Sequence, residues 1–219
     1  MELIDFANAI TDGIFDFIKI EACLMAGIEV AYELKDKTHY LLASSAELVS
    51  PGFAPVYQTS INFLFLEEPG LIQFATDAFT WIDRQKGLNR SGTISLIKTS
   101  ELTPLAGFIK TTPWSSGSID TGTVQHFDRY SYRLFFDFED YFLTKADDED
   151  TASRLSDLIR NCVIYQASTP YFMLKLGFPI HQHSGLTTYI RQEQYSYLNQ
   201  EYQKLKWYKE VIGSNGLIT

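Results

Sequence analysis

Hydrophobic and polar positions follow one another with a period that changes twice along the chain, dividing it into three zones. In residues 1–50, Leu3, Phe6, Ala7 and Ile10 have helical spacing and Gly13 ends or bends that helix. Between Ile14 and Leu34 the period is ambiguous. Ile28, Val30, Tyr32 and Leu34 alternate as a strand does, KDKT turns the chain back into HYLLAS, and a helical reading fits nearly as well. The reading taken is a helix to about Met25 and then a hairpin.

Residues 51–144 read as β structure. The apolar runs SINFLFL, LIQFATDAFTWI, TISLIKT and AGFIKTT are separated by the turn clusters SPG, EEPG, KGLNRSG and SSGSIDTG. In YSYRLFFDF, Tyr130, Tyr132, Leu134, Phe136 and Phe138 share one face of an extended strand, and Ser131, Arg133 and Asp137 the other. Residues 145–219 read as helical. The acidic run 147–150 complements the positive end of a helix dipole, and Leu155, Leu158, Ile159, Cys162 and Val163 line one face of the helix behind it. Thr169-Pro170 matches an N-cap with proline at the first helical position, Gly177 stops that short helix, and PIHQHSG turns into a long helix ending at Gly213. Its stripe is Ile190, Tyr197, Leu198, Tyr202, Leu205, Tyr208 and Ile212, with Tyr195 and Trp207 outside it. The expected fold is α+β: an antiparallel sandwich or barrel-like middle domain flanked by an N-terminal helix and C-terminal helices.

Composition narrows the function. At 219 residues the chain suits one domain with an elaboration or two small ones, and its 16 Phe, 13 Tyr and 3 Trp suit a packed core. The net charge is −9 and the 18 basic residues are scattered, which argues against a nucleic-acid groove. The N-terminal segment has acids and no basic leader region, and Asp16, Lys19, Glu21 and Glu29 interrupt the apolar stretches. A soluble chain of the cytoplasm or of a virion is expected, neither secreted nor membrane-bound. Cys23 and Cys162 lie in apolar segments and read as buried free thiols.

No catalytic set rises above its structural alternative. His126, Asp128, His181 and Arg191 are ordered as in the non-haem iron(II) 2-oxoglutarate oxygenases, which they resemble, and that resemblance implies two histidines and a carboxylate on iron with an arginine for the co-substrate. Arg191, however, falls in a segment of helical character. His181 and His183 can share a face and so a metal, with His126, His39 or a carboxylate as third ligand; a polar turn explains them as well. Cys162 faces a core and neither thiol is expected to be a nucleophile. Asp137, Glu139 and Asp140 read as a solvated strand face, the run 147–150 as a helix cap rather than a calcium loop, and KGLNRSG as a hairpin loop. No metal, cofactor or catalytic residue is expected.

LIRNCVIYQASTPYFMLKLGFPIHQHSG followed by a long helix with a lysine-rich end resembles the C-terminal helical half of head-to-tail connector and neck proteins of tailed bacteriophages. That resemblance implies a non-enzymatic virion component that assembles with copies of itself, as a ring or another homo-oligomer, and with other assembly proteins. Large aromatic residues anchor protein interfaces, so Tyr189, Tyr195, Tyr202, Trp207 and Tyr208, with Ile180, His181 and His183 of the turn, are the expected contact surface. In outline the aromatic sheet with a helix across it also resembles the helix-grip proteins that bind hydrophobic small molecules. Tyr130, Tyr132, Phe136 and Phe138 would then line a pocket.

Overall fold

The structure, a computed structural model, describes residues 2–117 and 119–214. In chain order the elements are α1 (Leu3–Asn8), β1 (Phe15–Lys19), α2 (Ile28–Leu34), β2 (Thr38–Ala43), α3 (Ala54–Ser60), α4 (Leu71–Asp83), β3 (Thr93–Lys98) and α5 (Leu102–Thr111). They continue with β4 (Phe136–Asp137), α6 (Phe138–Leu143), α7 (Glu149–Cys162), β5 (Val163–Ser168), β6 (Tyr171–Phe172), β7 (Phe178–Pro179), β8 (Thr187–Thr188), α8 (Ser196–Tyr202) and α9 (Lys206–Glu210). The main sheet has the order β1-β2-β3-β5. β1 and β2 are parallel, with Phe17 beside Tyr40, and the other two pairings are antiparallel.

Helices cover both faces of this sheet, and the alternation along each strand decides which core a residue joins. Leu41, Ala43 and Ile97 point into a core built with Ile28, Ala31 and Leu34 of α2, Leu105 and Ile109 of α5, and Leu155, Ile159 and Cys162 of α7. Leu42, Ile94 and Leu96 point the other way, against Phe53, Val56 of α3, and Leu71, Phe74, Ala75, Ala78 and Ile82 of α4. Sandwiched this way, the first five residues of β3 are buried without a polar–apolar alternation.

The α+β class holds; the sandwich or barrel-like middle does not. LIQFATDAFTWI is α4, because its buried residues Leu71, Phe74, Ala75, Ala78 and Ile82 recur at helical spacing, and AGFIKTT lies largely in α5. YSYRLFFDF keeps only the two-residue β4. Asp137 Oδ1 accepts the Asp140 N–H at 3.0 Å and starts α6, while Tyr130 and Tyr132 stay exposed in a loop. The aromatic sheet face of the helix-grip outline is therefore not formed. Between Ile14 and Leu34 the order is the reverse of the one expected, a strand first and a helix second. Ile28, Ala31 and Tyr32 are the buried face of α2.

The long final helix is also corrected. Leu186 to Arg191 runs without helix through β8, a turn closes by the Tyr195 N–H on Gln192 O at 3.0 Å, and the helical part is split into α8 and α9. Glu33 Oε1 accepts the Lys206 N–H at 2.6 Å and fixes the start of α9. Thr169-Pro170 leads into β6 instead of a helix, with the Thr169 side chain bonded to the backbone around Gly92 and Tyr171. α7 stands where its spacing predicts, capped by Asp148, whose Oδ1 accepts the Thr151 N–H at 2.7 Å. No helix of the described residues is long and apolar enough to cross a membrane.

Trp207, expected at an interface, is fully buried and packs edge-on against Tyr32 at 5.4 Å and Phe138 at 5.9 Å. It ties the C-terminal segment to α2 and α6. Replacing it with alanine is expected to cost about 3–5 kcal/mol of stability, read from the denaturant midpoint; a loss under about 1 kcal/mol, the range of surface substitutions, would show that the ring is no core anchor.

Candidate functional site

The sheet places one reactive group at its open end. β1 and β2 run in parallel, and in such pairs ligands bind beyond the C-terminal ends of the strands. Past β1 the chain stays beside β2 through Ile20 N–H to Leu42 O at 2.9 Å, then crosses to Ala46 O by the Leu24 N–H at 3.0 Å, and returns to Ser44 O by the Ala26 N–H at 3.0 Å before α2 begins. Cys23 sits at the outermost point of this turn. Leu24 takes the left-handed conformation, φ 62°, which a leucine adopts only where its surroundings enforce it.

Cys23 is exposed and unpaired, and the Leu48 N–H donates to its Sγ at 3.3 Å. Cys162, the other thiol, is buried at the end of α7, where burial pushes it up to about 12. An exposed thiol with a backbone donor on its sulfur is the one placed to act as a nucleophile. This corrects the expectation that both cysteines are buried and inert.

Two carboxylates belong to the segments that carry and bond the Cys23 turn. Glu21 Oε1 accepts the Phe53 N–H at 2.9 Å, and its Oε2 is bonded to Lys19 Nζ at 2.9 Å and to the Tyr57 hydroxyl. Burial works to raise the Glu21 carboxyl, but Tyr57, Lys19 and the Phe53 N–H outweigh it and hold the group below its ordinary value. Glu47 lies between Ala46 and Leu48, the two residues that bond the Cys23 turn, and both its oxygens are taken by Arg129.

Arg129 comes from a hairpin. The Phe127 N–H donates to Phe135 O at 2.8 Å, and Asp128 Oδ2 closes the loop by accepting the N–H groups of Leu134 at 2.6 Å and Phe135 at 3.1 Å. Phe127 and Phe135 pack with Leu24, Ala46 and Phe178, so the hairpin rests on the turn that carries Cys23. A cleft of about 480 Å³ opens beside Leu24, between Leu3 and Ile4 of α1, Leu134 of the hairpin, and Leu198 and Leu205. Glu29, half-buried, borders it; loss of hydration raises its carboxyl, which accepts the Thr188 hydroxyl at 3.0 Å and the Tyr189 N–H at 2.8 Å.

The residues singled out from the sequence are dispersed. His126 Nδ1 meets Asp128 O at 2.9 Å, whereas His181 is exposed, and Asp128 is occupied by the hairpin backbone. Among the described residues no cluster of three His, Cys, Asp or Glu side chains is placed to hold a metal ion. Asp137, expected on a solvated face, is fully buried, accepts the Ser184 N–H at 2.7 Å, and is raised to about 7 by that burial. Of the expected contact surface, Ile180, Tyr202 and Trp207 are buried, while Tyr189, Tyr195 and Tyr208 are partly covered by their own chain. His183 is largely enclosed: Ser45 Oγ stands 3.1 Å from its Nε2, Phe127 packs edge-on at 5.5 Å, and burial lowers its imidazole to about 4. The sequence reading missed Cys23, Glu21, Glu47 and Arg129. The available signal was a cysteine in the connection of a β-α-β unit.

The model of the clostripain family, peptidase C11, matches residues 1–111. No curated protein matches the chain at a significant level. Among solved structures it is similar to an inactive zymogen C11 protease from Parabacteroides distasonis, 31% identical with a TM-score of 0.84, over 96% of this chain and 62% of that one. It is also similar to a cysteine protease of B. fragilis, 27% identical with a TM-score of 0.85, over 100% of this chain and 96% of that one. A clostripain from Bacteroides thetaiotaomicron, in complex with the peptide inhibitor BTN-VLTK-AOMK, is 25% identical with a TM-score of 0.82, over 96% and 94%. The chain thus spans less than two thirds of the zymogen's length. These findings overturn the bacteriophage connector resemblance, and with it the non-enzymatic virion role and the ring of assembly partners. Of the apolar stripe that suggested an assembly surface, Tyr202, Trp207 and Ile212 are buried in the core around α2, Ile190 packs with Val124 and Phe136, and Tyr197 stays exposed.

His183 stays neutral in the folded chain down to about pH 4, while an unfolded histidine takes up a proton near 6.5. Its neutral burial therefore stabilises the fold above the unfolded value and loses that contribution as the pH falls through this window, by roughly 2 kcal/mol. Asp137, raised instead of lowered, has the opposite slope. The destabilisation caused by His183→Gln should accordingly be smaller at pH 4.5 than at pH 7. Denaturant midpoints of the two proteins at both pH values check this, and a pH-independent difference would refute it.

Proposed function

This chain belongs to the clostripain family of C11 peptidases, and we propose that it carries the nucleophile of a cysteine peptidase, Cys23. The observation that supports this most directly is the contrast between the two thiols. Cys23 is exposed at the parallel end of the sheet with a backbone donor on its sulfur, and Cys162 is sealed in a core.

In this reading Cys23 Sγ attacks the carbonyl carbon of a peptide bond and its proton passes to a general base. The carbon–nitrogen bond breaks as the amine leaves with a proton, and water then releases the acyl group from sulfur. Neither His126, whose Nδ1 meets Asp128 O, nor His183, whose Nε2 meets Ser45 Oγ, is hydrogen-bonded to the Cys23 sulfur. A rigid turn matters here because a nucleophile displaced by about 1 Å loses much of its rate. The left-handed Leu24, clamped to Ala46 O, supplies that rigidity.

The substrate class follows from charge. Glu21 lies two residues before Cys23, and Glu47 lies between Ala46 and Leu48, which bond the Cys23 turn, so the complementary side chain is a cation. The inhibitor of the B. thetaiotaomicron clostripain, BTN-VLTK-AOMK, has a lysine as its last peptide residue, and the same preference is proposed for this chain: cleavage after a basic residue.

A lysine-terminated acyloxymethyl ketone should label the full-length peptidase once, at Cys23. Cys23→Ala should abolish both labelling and hydrolysis of a lysyl peptide substrate, whereas Cys162→Ala should leave the label in place. Labelling that survives Cys23→Ala, located by peptide mass, would refute the assignment.

A further inference from the structure

The turn that carries Cys23 has two sides. On one, the 46–48 segment bonds it: Ala46 O accepts the Leu24 N–H at 3.0 Å, and the Leu48 N–H donates to Cys23 Sγ at 3.3 Å. On the other, Leu24 forms part of the wall of the cleft of about 480 Å³, and among the described residues that wall includes none of 46–48. The 127–135 hairpin spans both sides, since Arg129 reaches Glu47 while Leu134 and Phe135 reach the cleft.

We propose that this cleft is the subsite for the substrate residue that follows the cleaved bond, and that it selects a large apolar side chain, such as leucine, methionine or phenylalanine, over an acidic one. The proposal rests on Cys23 being the nucleophile and on a basic residue preceding the bond, and it adds the second half of the cleavage sequence.

Three observations carry it. The first is place: Leu24 is the next residue after Cys23, and neighbouring Cα atoms are about 3.8 Å apart, so a wall that includes Leu24 lies close to an acyl group on the sulfur. The second is direction. Glu21 is bonded by Phe53 and Tyr57, which pack with α3 and α4 on one side of the sheet, whereas the cleft opens among α1, α2 and α8 on the other. Successive side chains of an extended peptide point to opposite sides, so a basic residue turned toward the acids turns its successor toward the cleft. The third is lining. Leu3, Ile4, Val30, Leu134, Leu198 and Leu205 are all half-buried, which leaves apolar surface for a substrate side chain to cover. The acids of the cleft offer a cation little: Glu29 is taken by Thr188 and Tyr189, and Glu201 by Lys204. With Glu2 and Asp5 on the same wall, they repel an anion.

The walls are tied to one another before any substrate arrives. Glu29 Oε1 joins the start of α2 to the segment after β8 through Thr188 and Tyr189, and Tyr189 packs edge-on against Tyr202 of α8 at 5.2 Å. Asp128 fixes Leu134 and Phe135 by their N–H groups. A cleft held in shape in this way binds without first ordering its own loops. Its occupant belongs to the half of the substrate that departs with the amine. The preference therefore acts on acylation of Cys23 and not on the later attack of water, when the cleft is empty again.

The test uses the full-length peptidase and internally quenched peptides that are identical up to a lysine before the cleaved bond and carry leucine, glycine or glutamate after it. In the wild type, kcat/KM for leucine should exceed that for glycine about tenfold, the scale on which apolar pockets discriminate, and glutamate should be slower than glycine. Leu198→Lys should bring glutamate above glycine, because an ammonium in the wall attracts it. Leu198→Trp, which fills the cleft, should bring leucine down to glycine. Both variants should hydrolyse a lysine methyl ester, which has no leaving residue, at the wild-type rate. Equal cleavage of all the peptides by the wild type overturns the proposal while leaving Cys23 as the nucleophile. So do unchanged ratios in both variants, or an ester slowed as much as the peptides, which would mean that Leu198 supports the fold alone. If no peptide is cut and a lysyl acyloxymethyl ketone leaves Cys23 unmodified, the nucleophile assignment fails first and the subsite falls with it.

Discussion

Parallel pairing of β1 with β2 is the constraint on which the remaining architecture depends. Two parallel neighbours need a crossover, here α2 from Ile28 to Leu34, and that crossover has to leave the sheet from the end of β1 and pack on one of its faces. The chain between strand and helix is therefore forced outward at the open end of the sheet, where no further strand residue competes for the space. Cys23 is the apex of that excursion, and its exposure follows from topology rather than from any local preference of the sequence. The same crossover commits one face of the sheet to α2, α5 and α7, which leaves Leu42 and Leu96 to be covered by α3 and α4.

Loops that leave a sheet expose backbone donors, and this protein meets that cost with buried acids. Glu29 accepts Tyr189, Glu33 accepts Lys206, Asp128 accepts Leu134 and Phe135, and Asp137 accepts Asp140 and Ser184. Each carboxylate joins two segments that are far apart in sequence, apart from the local closures by Asp128 and of Asp137 on Asp140. Glu29 and Asp137 are both raised by burial, because backbone donors compensate only part of the lost hydration. The result is a set of loops tied together without a disulfide: both cysteines are free, Cys23 exposed and Cys162 buried.

How much of this could be read from the sequence depended on whether a segment is patterned by one neighbour or by several. α7 was legible because a single face is apolar and Asp148 caps its start. α4 was not: LIQFATDAFTWI is rich in β-branched and aromatic residues, and only the spacing of Leu71, Phe74, Ala75, Ala78 and Ile82 discloses a helix. α2 misled for a related reason. Its buried face includes Ile28, Tyr32 and Leu34, every second or fourth residue, so a strand fits as well, and reading a hairpin there erased the β-α-β unit that would have pointed to Cys23. Trp207 and Tyr202 looked like surplus apolar surface for an interface. Tyr32 and Phe138, the partners of Trp207, come from distant parts of the chain, Tyr202 meets Tyr189 across a bend, and such pairing leaves no periodic trace. Glu47 and Arg129 were invisible for the same reason, being joined only by the tertiary fold.

The electrostatics of the site set the direction in which it works. A chain of net charge −9 repels anionic ligands and draws cationic ones, and this long-range field assists encounter without deciding where a side chain docks. Both acids carried by the segments around Cys23 are already paired: Glu21 is bonded by Lys19, Tyr57 and the Phe53 N–H, and both oxygens of Glu47 are taken by Arg129. A bare carboxylate near a thiol disfavours its thiolate form, so the pairing of each acid with a cation keeps the field around Cys23 closer to neutral than the net charge of the chain would suggest.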